Sequence, residues 1–518
     1  MRTSILLFCT ILFSFSFSLT AQSFQWAKKE GNQTNGKKIT TDDAGNSYVY
    51  GEIFATTTVG GQNLDPANGD YFIIKYDNAG AVVWVKQLDS MEVSDIASTN
   101  TDVFLTGRFG TGASFAGTPV AGGSGWDGFV ARVSASGSLV WVETLTNAGS
   151  YESVNSLALD GGGNIYVTGV YRGATATMGT TMLTGNYGLE SMFLIKMASD
   201  GNITWTQSVT SDDGSASGGS VSVAPSGNIY VMSTAFGDSV YYGSMYYYAG
   251  PYEAELLVHY NSSGTALDFI EINHISQDNV TDMYVDGNSN VYTLQTNYLT
   301  SYTLAKYSPA LDTIWVLADG MGGHLSVGEI EINQAGQVIV VGDVGEAATF
   351  GNTTTVQAGV GFLAYYTPTG TFISVKQIPG SSVFMRSASR DSSDNIYITG
   401  TFTDTVNFDG IELIATGVNA SFVAKYGFGS TGLELTTLTE ENISIYPNPC
   451  SSGLLTCEVS KSAGEVNVEL YNVTGEKIYQ GRLNEELNQI DLSGKAAGMY
   501  MVNISTQNKV VGKRIVLN

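Results

Sequence analysis

The sequence predicts an all-β fold: a seven-bladed β-propeller closed by an N-terminal strand, then a small Ig-like β-sandwich. Three observations carry that prediction. A motif recurs seven times along the chain, most clearly as Asp160-Gly161-Gly162-Gly163-Asn164-Ile165-Tyr166-Val167-Thr168-Gly169. Each copy is followed by an apolar run and a turn, and in most repeats by a tryptophan, here Trp205. Charged residues make up only 14% of the 518 and glycine contributes 61, a composition of short strands and tight turns rather than long helices.

Taken in order, the second strands of the repeats lie at 46–51, 102–107, 164–169, 228–231, 290–293, 337–342 and 395–400, at intervals of 47 to 64 residues. The third strands run Phe72-Ile73-Ile74-Lys75-Tyr76, then 129–132, 193–196, 256–260, 304–307, 362–366 and finally Phe422-Val423-Ala424-Lys425-Tyr426. Outer strands carry Trp84, Trp141, Trp205 and Trp315, with Phe269 and Phe372 in the equivalent places. The seventh repeat stops at Tyr426 without one. Its missing strand is Ser23-Phe24-Gln25-Trp26-Ala27-Lys28-Lys29, which reads like Val83-Trp84-Val85-Lys86. Pairing of residues 23–29 with 422–426 would close the last blade and remove two exposed edges. The D-x-x-G-N-[IV]-Y and F-[LIV]-x-K-Y copies resemble the bacterial SBBP-type β-propeller repeats over about residues 23–430. That resemblance implies the fold and almost nothing about activity.

The formal net charge is −25, and residues 440–518 hold nine acidic and seven basic side chains, so the excess lies upstream. A surface this acidic repels phosphate backbones and excludes nucleic acid as a partner. It is compatible with weak calcium binding of a structural kind; no other cofactor is expected. Residues 1–21 read as a signal peptide, with Arg2 before an apolar stretch and cleavage between Ala21 and Gln22. The apolar run is short and lacks a stop-transfer flank, so no transmembrane segment is expected. Past that point only Cys450 and Cys457 remain. In an oxidising compartment they either pair or stand as two separate thiols, and spacing does not decide.

The propeller is expected over 22–430, a linker over 431–441 and the second domain over 442–518. The latter opens with Tyr446-Pro447-Asn448-Pro449, continues through the hairpin around Gly475 and the strand Gly498-Met499-Tyr500, and ends Lys513-Arg514-Ile515-Val516-Leu517-Asn518. Alternating strands at this spacing make a small sandwich. In that order these motifs resemble the type A C-terminal sorting domain of type IX secretion cargo. The resemblance implies a Gram-negative host, recognition by the type IX machinery, passage across the outer membrane, and removal of the domain on export. The product would be released or held at the cell surface.

Catalytic motifs are absent: there is no nucleophile elbow, H-E-x-x-H, P-loop or paired-Cys site. The turns at Asp42, Asp160 and Asp286 are rich in carboxylates but lack the spacing of a calcium loop. Asp, Asn and Gly there also serve the hairpins themselves. No metal site is expected, and His259, His274 and His324 have no fixed partners. Long loops join second to third strands, and variable loops on a rigid scaffold carry recognition. The fifth repeat has a short one, beside the Tyr-rich loop of the fourth: Tyr241, Tyr242, Tyr246, Tyr247, Tyr248 and Tyr252. These tyrosines either pack the loop against its neighbour or wall a notch that would suit a glycan or a surface protein. The leading expectation is a secreted or cell-surface non-catalytic recognition propeller. The alternative is an extracellular polysaccharide-active hydrolase or lyase working on the same long-loop face.

Overall fold

The computed structural model describes residues 22–122, 125–147, 151–186, 189–273, 279–297, 300–322, 324–351, 354–428, 443–448, 450, 453–459, 466–472, 477–483, 487–495, 498–505 and 510–517. Among them every regular element is a strand apart from one 3-10 turn, Pro66–Asn68. Two compact units result, Ser23–Gly427 and the residues from Phe428 onward.

In the first unit each repeat is an antiparallel four-strand meander. Gly214–Val223, Ile229–Gly237, Gly250–Tyr260 and Ala266–Asn273 show the pattern. The first two repeats share a single sheet, because Val82–Ser98 runs unbroken from the fourth strand of one into the first strand of the next. The last repeat contributes Gly380–Arg390, Ile396–Phe408 and Ala420–Phe428. Its fourth strand is Gln22–Lys29, hydrogen-bonded beside Ala420–Phe428 as the sequence predicts.

The repeat motif works as one interlocking device. Asp391 Oδ1 accepts from the amides of Ser393 and Asn395 at 2.9 and 3.0 Å, while Oδ2 accepts from the Asn395 side chain at 2.7 Å and Tyr397 Oη at 3.2 Å. Lys425 Nζ stands 3.9 Å from that carboxylate and 5.0 Å from the Tyr397 ring centroid. Asp160, Tyr166 and Lys196 repeat the set, as do Asp286, Tyr292 and Lys306. Where the turn lacks the Asp, the cation goes too. The fourth repeat has Ala224 in the turn and His259 in the strand, with the imidazole stacked on Tyr230 at 4.8 Å. Burying a cation without its carboxylate would be costly, so the substitutions travel together.

In five repeats the motif ends in a glycine opposite a bulge, while Ser233 and Gln295 take that place in the fourth and fifth. Every first strand is bulged at the same place: 36/38, 93/95, 154/156, 218/220, 280/282, 327/329 and 385/387. A Cβ on Gly400 would lie 2.0 Å from Phe384 O, so no larger residue fits there. In five repeats the residue after the bulge reaches the following repeat. Asp95 accepts from Leu157 N at 2.9 Å, Ser156 from Val221 N at 3.2 Å, Asp282 from Ile330 N at 2.8 Å and Glu329 from Ala388 N at 2.5 Å. Ser387 accepts from Ile39 N at 3.0 Å, which joins the last repeat to the first. Lys38, at the same position of the first repeat, ion-pairs with Glu329 at 3.1 Å.

The tryptophans join repeats at the opposite edge. Trp84, Trp141 and Trp315 donate through Nε1 to Ala135 O, Ser199 O and Pro368 O, each in the third-to-fourth-strand turn of the next repeat. Trp26 does the same to Asn78 O of the first repeat at 3.0 Å. Its indole covers Gly80 (φ +77°), where a Cβ would come within 2.7 Å of the ring.

In several repeats the long second-to-third-strand segment straps onto the fourth strand of the preceding repeat or the short strand that follows it. Thr175–Met178 pairs with Leu139–Thr146, Val240–Tyr242 with Ile203–Ser211, and Ala348–Phe350 with Met321–Gly322. The end of Asp102–Phe115 folds back on Leu88 and Asp89 in the same manner. In the fifth repeat Val291–Asn297 and Ser301–Tyr307 join directly, with Asn297 opposite Ser301, leaving no such hairpin.

The second unit has two sheets, Ile443–Tyr446, Leu454–Val459 and Leu487–Asp491 in one, Lys477–Leu483, Val466–Asn472, Gly498–Ser505 and Val510–Leu517 in the other. Leu455, Cys457 and Ile490 from the first sheet share one core with Val468, Val502, Ile504 and Leu517 from the second. Both cysteines are buried in that core, and Cys450 Sγ donates to Leu454 O at 3.4 Å.

Candidate functional site

The tyrosine-rich segment forms a tight hairpin, Val240–Tyr242 against Met245–Tyr247, turned by Gly243 at φ +65°. Strand alternation separates its side chains. Tyr242 is buried, its hydroxyl 2.8 Å from Ser233 Oγ and its ring 6.0 Å from that of Phe269. Tyr247 meets Phe269 edge-on at 5.8 Å and donates to Glu271 Oε2 at 2.7 Å. Tyr241 donates to Asp212 Oδ2 at 2.6 Å. These three hold the hairpin in place. Tyr246, Tyr248 and Tyr252 are 63–64% exposed and present their rings outward.

Electrostatics keep every engaged phenol protonated. The hydrogen bond to the Asp212 carboxylate pushes the Tyr241 pKa up, and for Tyr247 burial does so first, with Glu271 adding to it. Asp212 and Glu271 serve here as acceptors for phenol donors. The arrangement offers aromatic faces and hydroxyl tips, the equipment of a binding surface.

The turn carboxylates are occupied by their own turns, as Asp42 shows by accepting from the amides of Ala44 and Asn46 and from the Asn46 side chain at 2.7 to 3.1 Å. Among the described residues no three His, Cys, Asp or Glu side chains are grouped to hold a metal ion. His259 is buried, His324 is exposed, and His274 lies outside the described residues. No described helix is long and apolar enough to cross a membrane.

Of the sorting motif, Tyr446, Pro447 and Asn448 are exposed, and Asn448 Oδ1 accepts from Val516 N at 2.9 Å. Gly498 and Tyr500 sit on one strand, with Tyr500 buried; Lys513 and Arg514 stand opposite Val502 and Met501 on the neighbouring strand. Pro449, Gly475 and the cleavage residue Ala21 lie outside the described residues, while Gln22 begins the first strand.

Sequence reasoning overlooked a second exposed aromatic group. Trp126 is 40% exposed and forms a parallel bridge with Tyr151, itself 37% exposed. The available signal was its register: Trp126 is a tryptophan that falls outside every fourth strand.

The chain is similar to several known proteins. It is 28% identical over 208 residues to an uncharacterized WD repeat-containing protein of Acanthamoeba polyphaga mimivirus, covering 33% of this chain and 15% of that protein. It is 26% identical over 112 residues to an ulvan lyase of Nonlabens ulvanivorans, covering 21% of each. The chain thus spans about a fifth or less of the length of these curated relatives. Among solved structures it is similar to PorZ, a surface component of the type IX secretion system of Porphyromonas gingivalis. That likeness has 9% identity and a TM-score of 0.31, covering 95% of this chain and 100% of the other. The WD40 domain of Toxoplasma gondii coronin gives 9% identity and a TM-score of 0.39, covering 79% and 88%. Residues 444–518 match the secretion system C-terminal sorting domain family, which implies recognition by the type IX secretion machinery and export to the cell surface or beyond.

Proposed function

We propose that this chain is a secreted or cell-surface recognition module: a closed seven-bladed propeller that binds a glycan or surface protein without catalysing a reaction. An Ig-like sorting sandwich, removed on export, delivers it. The observation that carries this reading is the exposed trio Tyr246, Tyr248 and Tyr252: Tyr246 stands on a hairpin whose nearby carboxylates already accept from phenols, Tyr248 follows that hairpin, and Tyr252 lies on the strand Gly250–Tyr260. Rigid aromatic faces with a polar tip suit sugar rings and protein hot spots. Closure is supported by two contacts between the ends of the repeat array, Trp26 to Asn78 and Ser387 to Ile39. The strap of Val240–Tyr242 onto Ile203–Ser211 adds to it and gives the tyrosine hairpin a stiff support.

The test is a glycan array probed with the purified protein, with and without calcium. Binding lost on changing Tyr246, Tyr248 and Tyr252 to Ala, with the melting transition unchanged, supports the reading. Unchanged binding in that variant removes the trio from it. The second reading, a polysaccharide-active hydrolase or lyase, draws on the 112-residue likeness to the ulvan lyase. Cleaved products would favour it over simple retention.

A further inference from the structure

The group around Trp126 has the makings of a sugar subsite separate from the tyrosine hairpin. Arg108, on the second strand of the second repeat, lies with its guanidinium carbon 4.9 Å from the Trp126 ring centroid and 5.6 Å from that of Tyr151. Its Nε donates to Glu92 Oε2 at 2.8 Å, Nη2 pairs with the same oxygen at 2.6 Å, and Nη1 donates to Tyr151 Oη at 3.2 Å. A guanidinium has five N–H donors in a fixed plane, so two remain for a ligand.

The ground beneath is acidic. Glu152 N donates to Trp126 O at 3.1 Å, and the Glu152 side chain is fully buried with neither carboxyl oxygen hydrogen-bonded. Asp127, which follows Trp126, is also buried. Burial first, and then Asp127, raises the Glu152 pKa to about 7. Glu92 neutralises Arg108, so the surface above these buried carboxyls offers no net positive charge to an anion.

We propose that Trp126, Tyr151, Arg108 and Glu92 form a binding subsite for a neutral pyranose unit of a polysaccharide. The two aromatic rings supply stacking faces for the sugar C–H surface. Arg108 donates its remaining N–H groups to ring hydroxyls, and Glu92 Oε1 accepts from a neighbouring hydroxyl. A uronic or sulfated unit is disfavoured because the Glu92 carboxylate already neutralises Arg108, leaving no uncompensated cation for it. This inference rests on the glycan branch of the recognition reading and adds a second location and a ligand class to it.

The test titrates the full chain with neutral oligosaccharides (xylo-, manno- and gluco-series) and with uronic and sulfated ones, by calorimetry. Trp126→Ala and Tyr151→Ala are each expected to weaken neutral-sugar binding about tenfold or more, the scale of a truncated aromatic hot spot. Trp126→Phe, which keeps a ring and guards against a folding artefact, should weaken it less. Neutral-sugar binding indifferent to all three variants overturns the subsite and leaves the recognition reading standing. Preference for uronic or sulfated sugars overturns the proposed ligand class. No binding of any saccharide by the unaltered chain overturns both the subsite and the glycan branch, an outcome visible before any variant is made.

Discussion

Replacing Trp26 with Ala asks whether the chain's first strand is a structural member or a tail. Trp26 is 9% exposed, and its ring lies 6.2 Å from Tyr76 in the first repeat and 5.9 Å from Tyr397 in the last. Its Nε1 donates to Asn78 O at 3.0 Å. The change deletes a buried aromatic side chain between two repeats far apart in sequence. A core Trp→Ala replacement costs about 3–5 kcal/mol, with the lost hydrogen bond contributing about 1 of that. A frayed terminal strand would cost less than about 0.5 kcal/mol. Urea unfolding followed by circular dichroism separates these values. Trp141→Ala, the equivalent change in an internal repeat, serves as the yardstick. Closure requires the two variants to lose stability to a similar degree. A Trp26→Ala midpoint equal to that of the unaltered protein would refute the reasoning, whatever Trp141→Ala does.

Glu30 links the same junction to pH. It is fully buried beside Tyr76, and burial raises its pKa to about 8 against opposing hydrogen bonds from Tyr76 and Ser421. Because the folded form holds the proton more tightly, this contribution is complete below about pH 4.5 and is lost as pH rises toward about 8, a few kcal/mol in all. Glu30→Gln should therefore flatten the fall in melting temperature over that window; an unaltered slope argues against it. Asp391→Ala removes four accepted hydrogen bonds at a buried turn and should cost about 3 kcal/mol, against less than about 1 for exposed Asp43→Ala, as read by denaturation. Deleting residues 442–518 should hold the chain inside the outer membrane, and cell fractionation would detect its continued export.

Much of the fold was legible because its signals are local and repeated. The two motifs that carry Asp, Tyr and Lys were legible as repeated copies, but their contact was not, since the Asp-to-Lys spacing depends on the loop between the strands. The N-terminal strand was legible because residues 23–29 copy the fourth strand of the other repeats. The straps were not, because whether 175–178 pairs with 139–146 depends on a neighbour more than 30 residues away. Local periodicity also hides the unbroken strand Val82–Ser98, where two repeats merge. Within the candidate site, the tyrosine cluster was evident as composition, but alternation and Phe269 decide which rings are spent on packing. Tyr242 and Tyr246 are four residues apart, and one is buried while the other is 63% exposed. The group at Trp126 escaped notice because Arg108 meets Trp126 through the strand ladder of the second repeat, and Tyr151 joins them only through the bridge to the third.

The central claim is that this propeller binds without transforming what it binds. Its most direct test incubates the full chain with a panel of neutral and acidic polysaccharides, and measures both retention of the protein on each polymer and the appearance of new chain ends. The account predicts retention on at least one neutral polymer whose length distribution stays unchanged. New chain ends that depend on the protein would contradict it and make the chain a polysaccharide-cleaving enzyme.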